Sequence, residues 1–288
     1  MRALVPRAEE VRELVRLAFP VAVVQVGMML MGVVDTVMVG HVSPTDLAAV
    51  ALGNLYFFGI VIFGLGTLLA LDPVISQAVG AADAAGIARG LQRGAVLALG
   101  LAVVASVLIL PVTPVLRAFR QPVDVIPVAS GYALAALPGV LPFYVYIVLR
   151  QVLQAMGRVA PIVVTVVVAN LANVLFNWVL IYGNAGFPAL GAVGAGWASS
   201  LSRALMAVGV LAVAWPVLRP FVLPLRRDAA RLVPVARMLA LGGPIGAQLF
   251  LEFAAFAVIG LLMGWMGTVA MAGHQVAINL ASLTFMVP

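Results

Sequence analysis

The chain has 288 residues, of which 64% are hydrophobic and only 9% charged, with a mean hydropathy of +1.18. A soluble domain averages about 25% charged residues, so a water-covered globule of this size is excluded. The formal charge of +6 rests on arginine alone, and the arginines sit between apolar runs without interleaved aromatics, which excludes nucleic acid as a partner. No cysteine is present, so there are no disulfides and no thiol chemistry. The composition is that of a polytopic all-α membrane protein, in which every span satisfies its own backbone hydrogen bonds.

In chain order, Met1 to Arg16 mixes arginine with glutamate and reads as a short cytoplasmic amphipathic lead-in. The apolar run that follows is too long for a signal peptide and has no small-residue cleavage site. A span needs about 20 mostly apolar residues. Seven runs meet that length, near 14–39, 47–71, 92–112, 125–149, 160–182, 190–215 and 241–266, and an eighth begins near 270 and stops at Pro288. Turns are expected at His41–Asp46 and Gly183–Pro188, and a small-residue loop from Gly80 to Gly90. Pro138 and Pro142 should kink the fourth span.

Arginine placement sets the orientation. With the N-terminus inside, the inner segments hold Arg2, Arg7, Arg12 and Arg16, then Arg89 and Arg93, Arg150 and Arg158, and the group from Arg219 to Arg237. Only Arg117 and Arg120 fall outside, and Arg203 lies within the sixth span. The longest basic stretch divides the chain into a six-helix lobe over 1–218, a cytoplasmic linker over 219–240 and the start of a second lobe over 241–288.

The second lobe reads as a repeat of the first. Laying Pro20 on Pro244 brings Gly40 onto Gly264 and, one inserted residue later, Asn54-Leu55 onto Asn279-Leu280. Transporters are often built from such duplicated bundles. On this alignment the second copy stops inside its second helix, and the chain is expected to be a fragment.

One carboxylate stands out. Asp35 is the only ionisable group between Leu17 and Val39. A charge at the bilayer centre costs about 2.5–3.5 kcal/mol on insertion scales, so such groups face an interior and act there. A hard cation held by Asp35 needs further oxygens. Asn173 and Asn177 stand i,i+4 on the fifth span, where their amides share a face and could supply them, or could simply glue helices together. Glu252 sits in the middle of the seventh span opposite Met28 of the first copy, and Gln248 one turn earlier shares its face. Arg203 either pairs with a carboxylate or snorkels along its helix. Ser199, Ser200 and Ser202 either line a pocket or bond back to their own helix. Tyr144, Tyr146, Phe143 and the methionines Met28, Met29 and Met31 offer an adaptable apolar surface or plain packing. His274 and Gln275, at the start of the eighth run, are either site residues or interface groups.

No catalytic signature is present: there is no phosphate-cradling Gly-x-x-x-x-Gly-Lys loop, no metal-spaced histidine pair and no nucleophile triad. An enzyme is therefore not expected.

The segments Val33-Val34-Asp35-Thr36-Val37-Met38-Val39-Gly40-His41, Ser76-Gln77-Ala78-Val79-Gly80-Ala81, Asn173-Val174-Leu175-Phe176-Asn177-Trp178 and Ala272-Gly273-His274-Gln275-Val276-Ala277 resemble the multidrug and toxic compound extrusion (MATE) transporters, most nearly the bacterial NorM-type branch. The resemblance implies two six-helix lobes around a central cavity in the bacterial inner membrane. It implies export of amphipathic, often cationic drugs in exchange for sodium ions or protons, with no other cofactor and with the protein acting as a monomer. By the same resemblance, Asp35, Asn173 and Asn177 form a first-lobe cation site and Glu252 belongs to a second. Proton-coupled archaeal-type members carry a second Asp near the first site, where this chain has Asn at both positions. Two other readings remain, a lipid-linked or polysaccharide flippase of related packing and a truncated lobe without transport activity.

Overall fold

The computed structural model describes residues 8–226, 229 and 231–285; side chains at 8–18, 20, 21 and 282–285 are outside that description. The whole lead-in, Arg227 and Pro288 therefore lie outside the described side chains.

Twelve α-helices follow one another among the described residues: α1 Ala8–Gly40, α2 Pro44–Leu69, α3 Leu71–Gly80, α4 Ala84–Ile109, α5 Val112–Ala118, α6 Ile126–Ala136, α7 Val140–Ala155, α8 Ala160–Tyr182, α9 Gly191–Val213, α10 Trp215–Val222, α11 Leu232–Trp265 and α12 Thr268–Phe285. Seven segments are long and apolar enough to cross a membrane, and they answer one for one to the seven predicted runs. The surface agrees. On α4, Leu97, Ala98, Ala102, Ala105 and Ile109 point into the bundle while Leu99, Val103, Val104, Val107 and Leu108 are exposed. An outward face as apolar as the inward one suits lipid, not water.

The structure departs from the sequence reading in four places. The second span does not end at residue 71; after a break at Ala70 it continues as α3, because Leu71 and Ile75 are fully buried against the bundle. The family-like stretch at Ser76–Gly80 is thus helix. The predicted loop from Gly80 to Gly90 shrinks to a turn before α4, whose N-cap Asp83 accepts from the Gly86 N–H at 2.8 Å and pairs with Arg89 at 3.1 Å. Of its glycines, Gly90 serves close packing, since a Cβ there would run into Ile75. Third, the basic stretch is largely helical, since α10 reaches Val222 and α11 begins at Leu232. Fourth, Arg150 is not a loop residue. It is buried on α7, where Nη1 donates to Gln25 Oε1 at 3.0 Å and approaches Met28 Sδ at 3.2 Å. The fourth span breaks as expected, through a single 3-10 turn at Leu137–Gly139 that contains Pro138.

With Pro20 laid on Pro244, Ala8 falls on Leu232 and Gly40 on Gly264, so α1 and α11 start at matching positions and end within one residue of each other. α11 lies antiparallel along α2. Leu55 faces Gly260, Phe58 stacks at 5.9 Å from Phe253, and Gly66 meets Gly246 backbone to backbone. A Cβ on Gly246 would lie 2.5 Å from the Phe63 carbonyl, and one on Gly242 would collide with that of Thr67. Small residues four apart allow this approach, as in membrane helix pairs generally. Near the C-terminal end of α11 the contact turns polar: Gln121 Nε2 reaches the Leu261 carbonyl at 3.4 Å, Trp265 Nε1 donates to the Phe119 carbonyl at 2.8 Å, and Thr268 donates to Asp124 at 3.3 Å.

Candidate functional site

The apolar core falls into two clusters with a polar layer between them. On α1 one cluster ends at Met31 and the other begins at Val39; on α8 the boundary lies between Ala169 and Ile181, and on α9 between Ala195 and Met206. The residues bridging these gaps are Asp35, Asn173 with Asn177, and Ser199. On α8 the buried positions are Ile162, Thr165, Val166, Ala169, Asn173, Asn177 and Ile181, so the two asparagines occupy steps of a mostly apolar stripe. Gly183, in the left-handed region at φ 74°, closes that helix one turn beyond the layer.

Within the layer the carboxylate is enclosed by donors. Asp35 Oδ1 accepts from Asn177 Nδ2 at 2.6 Å and from Asn173 Nδ2 at 3.3 Å, and Oδ2 accepts from Ser199 Oγ at 2.6 Å. Asn177 Nδ2 also donates to Asn173 Oδ1 at 3.2 Å. Asp35 is 3% exposed and both asparagines are wholly buried. Charge-assisted bonds of this kind are about twice as strong as neutral ones, which is how a carboxylate can lie this deep.

The predicted neighbours are therefore together, but with the amides turned the other way from the expectation. Their N–H groups, not their carbonyl oxygens, face the carboxylate, because an ionised carboxylate only accepts. Asn177 Oδ1 is left buried and unpartnered. A half-turn of each amide about χ2 exchanges donor for acceptor and would present Asn173 Oδ1 and Asn177 Oδ1 beside the carboxylate. With Ser199 Oγ that makes an all-oxygen donor set, the chemistry a hard cation requires.

The other predicted residues are dispersed. Ser199 belongs to the cluster itself, whereas Ser200 donates to the Ala135 carbonyl and Ser202 back to Ala198. Arg203 does not snorkel. Its guanidinium lies 4.6 Å from the Phe57 ring centroid and 5.7 Å from that of Phe143, with Nη1 buried and unpartnered. Tyr144 stands on α7. It is fully buried and its hydroxyl donates to the Val61 carbonyl at 2.9 Å, so it fills the core between α2 and α7. Glu252 and Gln248 lie exposed on α11, apart from the Asp35 cluster. His274 is half-buried in the second turn of α12, not at its start.

Sequence reading singled out Gln275 but missed its two neighbours Thr36 and Asn279. Asn279 on α12 donates to Thr36 Oγ1 at 2.7 Å, and Gln275 reaches Asn279 Oδ1 at 3.5 Å. Thr36, next to Asp35, points to the other side of α1. The i,i+4 spacing of Gln275 and Asn279 was the available signal. Beside them, a cavity of about 330 Å³ opens between α1, the start of α2 and α12, lined by Val33, Thr36, Val37, His41, Val276 and Asn279 among others.

Comparison with known proteins places this geometry. Residues 20–179 match the family model described as MatE. The chain is 37% identical over 284 residues to the multidrug resistance protein MdtK of Edwardsiella ictaluri (strain 93-146), covering 97% of this chain and 62% of that protein. It is 35% identical over 280 residues to the probable multidrug resistance protein NorM of Geobacillus kaustophilus (strain HTA426), covering 96% and 62%. It thus spans about three fifths of the length of these relatives. Among solved structures, the eukaryotic MATE transporter AtDTX14 superposes with a TM-score of 0.76 at 21% identity, over 89% of this chain and 56% of that one. An inward-facing multidrug resistance MATE family transporter of the MOP superfamily superposes at 0.73 and 20%, over 92% and 61%. These last two likenesses bear on the fold.

Proposed function

The chain belongs to the MatE family, and on that premise we propose that it forms the first lobe and part of the second of a secondary active multidrug exporter, one that exchanges sodium ions or protons for amphipathic drugs. The observation that carries this reading is the buried Asp35 carboxylate, held by Asn173, Asn177 and Ser199 across three helices.

A cation arriving at Asp35 competes with those three donors. Sodium would take the carboxylate and the turned amide oxygens; a proton would occupy one carboxylate oxygen and make it a donor. Either way the bonds joining α1 to α8 and α9 are rearranged, and the cation favours whichever packing offers it more oxygens. A drug favours the other packing. Each ligand can move the equilibrium only by its difference in affinity between the two states.

The rest of the proposal follows from placement. Glu252 and Gln248, exposed on α11, supply a second cation site or a contact for cationic drugs, and the cavity beside Thr36 and Asn279 offers drugs an apolar wall of the size that small ligands use. Arg203, clamped by Phe57 and Phe143, balances the Asp35 charge. We place the N-terminus in the cytoplasm of a bacterial inner membrane on the arginine distribution, and keep 1–218 and 241–288 as the two lobes.

The test uses the protein in proteoliposomes loaded with a fluorescent cationic drug. Drug movement should follow either a sodium jump or a pH jump imposed across the membrane. Movement driven by neither gradient overturns antiport.

A further inference from the structure

The segment that leaves α9 has a surface that the proposed transport cycle does not use. α10 turns two faces in opposite directions. Leu218 is fully buried, with Val217, Phe221 and Val222 resting on the core around it, while Trp215, Pro216, Arg219 and Pro220 face outward. The chain continues through exposed Leu223 and Leu225. Arg219 is therefore a guanidinium set among exposed apolar side chains. Among the described residues the one ion pair is Arg89 with Asp83, so no described carboxylate pairs with Arg219.

Beside α10 lies an open groove of about 560 Å³, lined by Pro216, Arg219, Pro220, Leu223 and Pro224. Its floor is fastened from within. Buried Gln92 on α4 donates from Nε2 to the carbonyls of Phe221 at 3.0 Å, Val222 at 3.3 Å and Pro224 at 3.1 Å, and its Oε1 accepts from the Arg226 N–H at 2.8 Å. One side chain thus holds four backbone groups in place, and the groove keeps its shape through residues that would otherwise be loop.

Neither bulk water nor hydrocarbon suits such a face. Water would leave Trp215, Leu223 and Leu225 exposed, and hydrocarbon would strand Arg219. The headgroup boundary satisfies both, since tryptophan and arginine collect there with their apolar parts inward and polar ends at the surface. α9, which spans, ends only two residues before α10 begins, so the groove stands where a span meets that boundary. Arg226, Arg227, Arg231 and Arg237 follow on the same stretch against the single carboxylate of Asp228, so its net charge has the same sign.

We propose that the groove beside α10 is a binding site for the phosphate of an anionic phospholipid, with Arg219 as counter-charge and Trp215 and Leu223 against the glycerol and first acyl carbons. This rests on the membrane reading of the fold and is independent of the transport cycle.

The protein in detergent is titrated separately with phosphatidylglycerol, phosphatidylcholine and inorganic phosphate, and bound lipid is counted by native mass spectrometry. Phosphatidylglycerol should be retained about fivefold more strongly than phosphatidylcholine, the equivalent of about 1 kcal/mol for one basic residue at the membrane surface. Inorganic phosphate at millimolar concentration should not displace it. Arg219→Gln, at an exposed position, should lose one bound phosphatidylglycerol with Tm in phosphatidylcholine unchanged, and Arg219→Lys should keep it. Wild-type retention by Arg219→Gln, equal retention of the two lipids, or displacement by inorganic phosphate would each overturn the proposal.

Discussion

Replacing Asp35 by asparagine separates a structural carboxylate from a coupling one, because its two effects differ in size. The new side chain keeps one carbonyl oxygen, which can go on accepting from Asn173 and Asn177, while its NH₂ group would face Ser199. Ser199 has only to turn its hydroxyl to accept instead of donate, since a hydroxyl does both. The hydrogen-bond cost is about 1 kcal/mol, and it is offset by removing a buried charge whose desolvation penalty is several kcal/mol. The expected Tm in detergent is therefore unchanged or raised. The effect on a cation is much larger. A unit charge about 4 Å away at an effective dielectric of about 20 is worth about 4 kcal/mol, so cation affinity should fall about a thousandfold. Ion-driven efflux of ethidium, measured in proteoliposomes and in cells, should fall to background. Efflux by Asp35→Asn at the wild-type rate would refute the coupling role, and a collapse of Tm alongside the loss would show that the carboxylate is structural.

Three further changes bear on the surrounding structure. Asn177→Leu removes the 2.6 Å donor to Asp35 and the link to Asn173, leaving a buried anion short of a partner; a loss of about 1–3 kcal/mol is expected in denaturant titration, and an unchanged midpoint would contradict the geometry. Gly246→Val pushes a branched side chain toward the Phe63 carbonyl and Thr67. Overpacking costs about 1–3 kcal/mol, and α11 should shift, so the cross-linking yield of a Phe58→Cys, Phe253→Cys pair should drop; an undiminished yield counts against the seam. Tyr144→Phe deletes the bond to Val61 and should cost about 1 kcal/mol without altering which drugs are exported. A changed drug spectrum would return Tyr144 to the cavity.

The spans were legible because lipid imposes a crude rule of length and apolarity, and seven runs obeyed it. Asp35, Asn173 and Asn177 were legible for a related reason: polar groups in apolar stripes are costly, and helical spacing puts the amides on one face. Ser199 was one of three nearby serines, and nothing in their spacing said which would reach the carboxylate while the others bonded to backbone carbonyls. Arg150 misled because an arginine near a helix end looks like a topology signal; its partners, Gln25 and Met28, lie far away in sequence. The glycines between 80 and 90 misled for the converse reason. Composition cannot tell a glycine that frees a loop from one that lets two helices touch. The amide orientation was beyond sequence altogether, since an amide offers a donor and an acceptor and spacing does not say which will face the carboxylate.

The glycine seam between α2 and α11 has a mechanical consequence. Interlocked side chains act like gear teeth, and moving one helix past another means climbing out of each hole. At Gly66, Gly242 and Gly246 there are no teeth, only two smooth backbones in contact. Resistance is concentrated instead toward the far end of α11, where Gln121, Trp265 and Thr268 make polar bonds that must break before that end can travel. The seam is thus built as a plain bearing at its glycines, and the clasp at the far end ties α11 to the connection between α5 and α6.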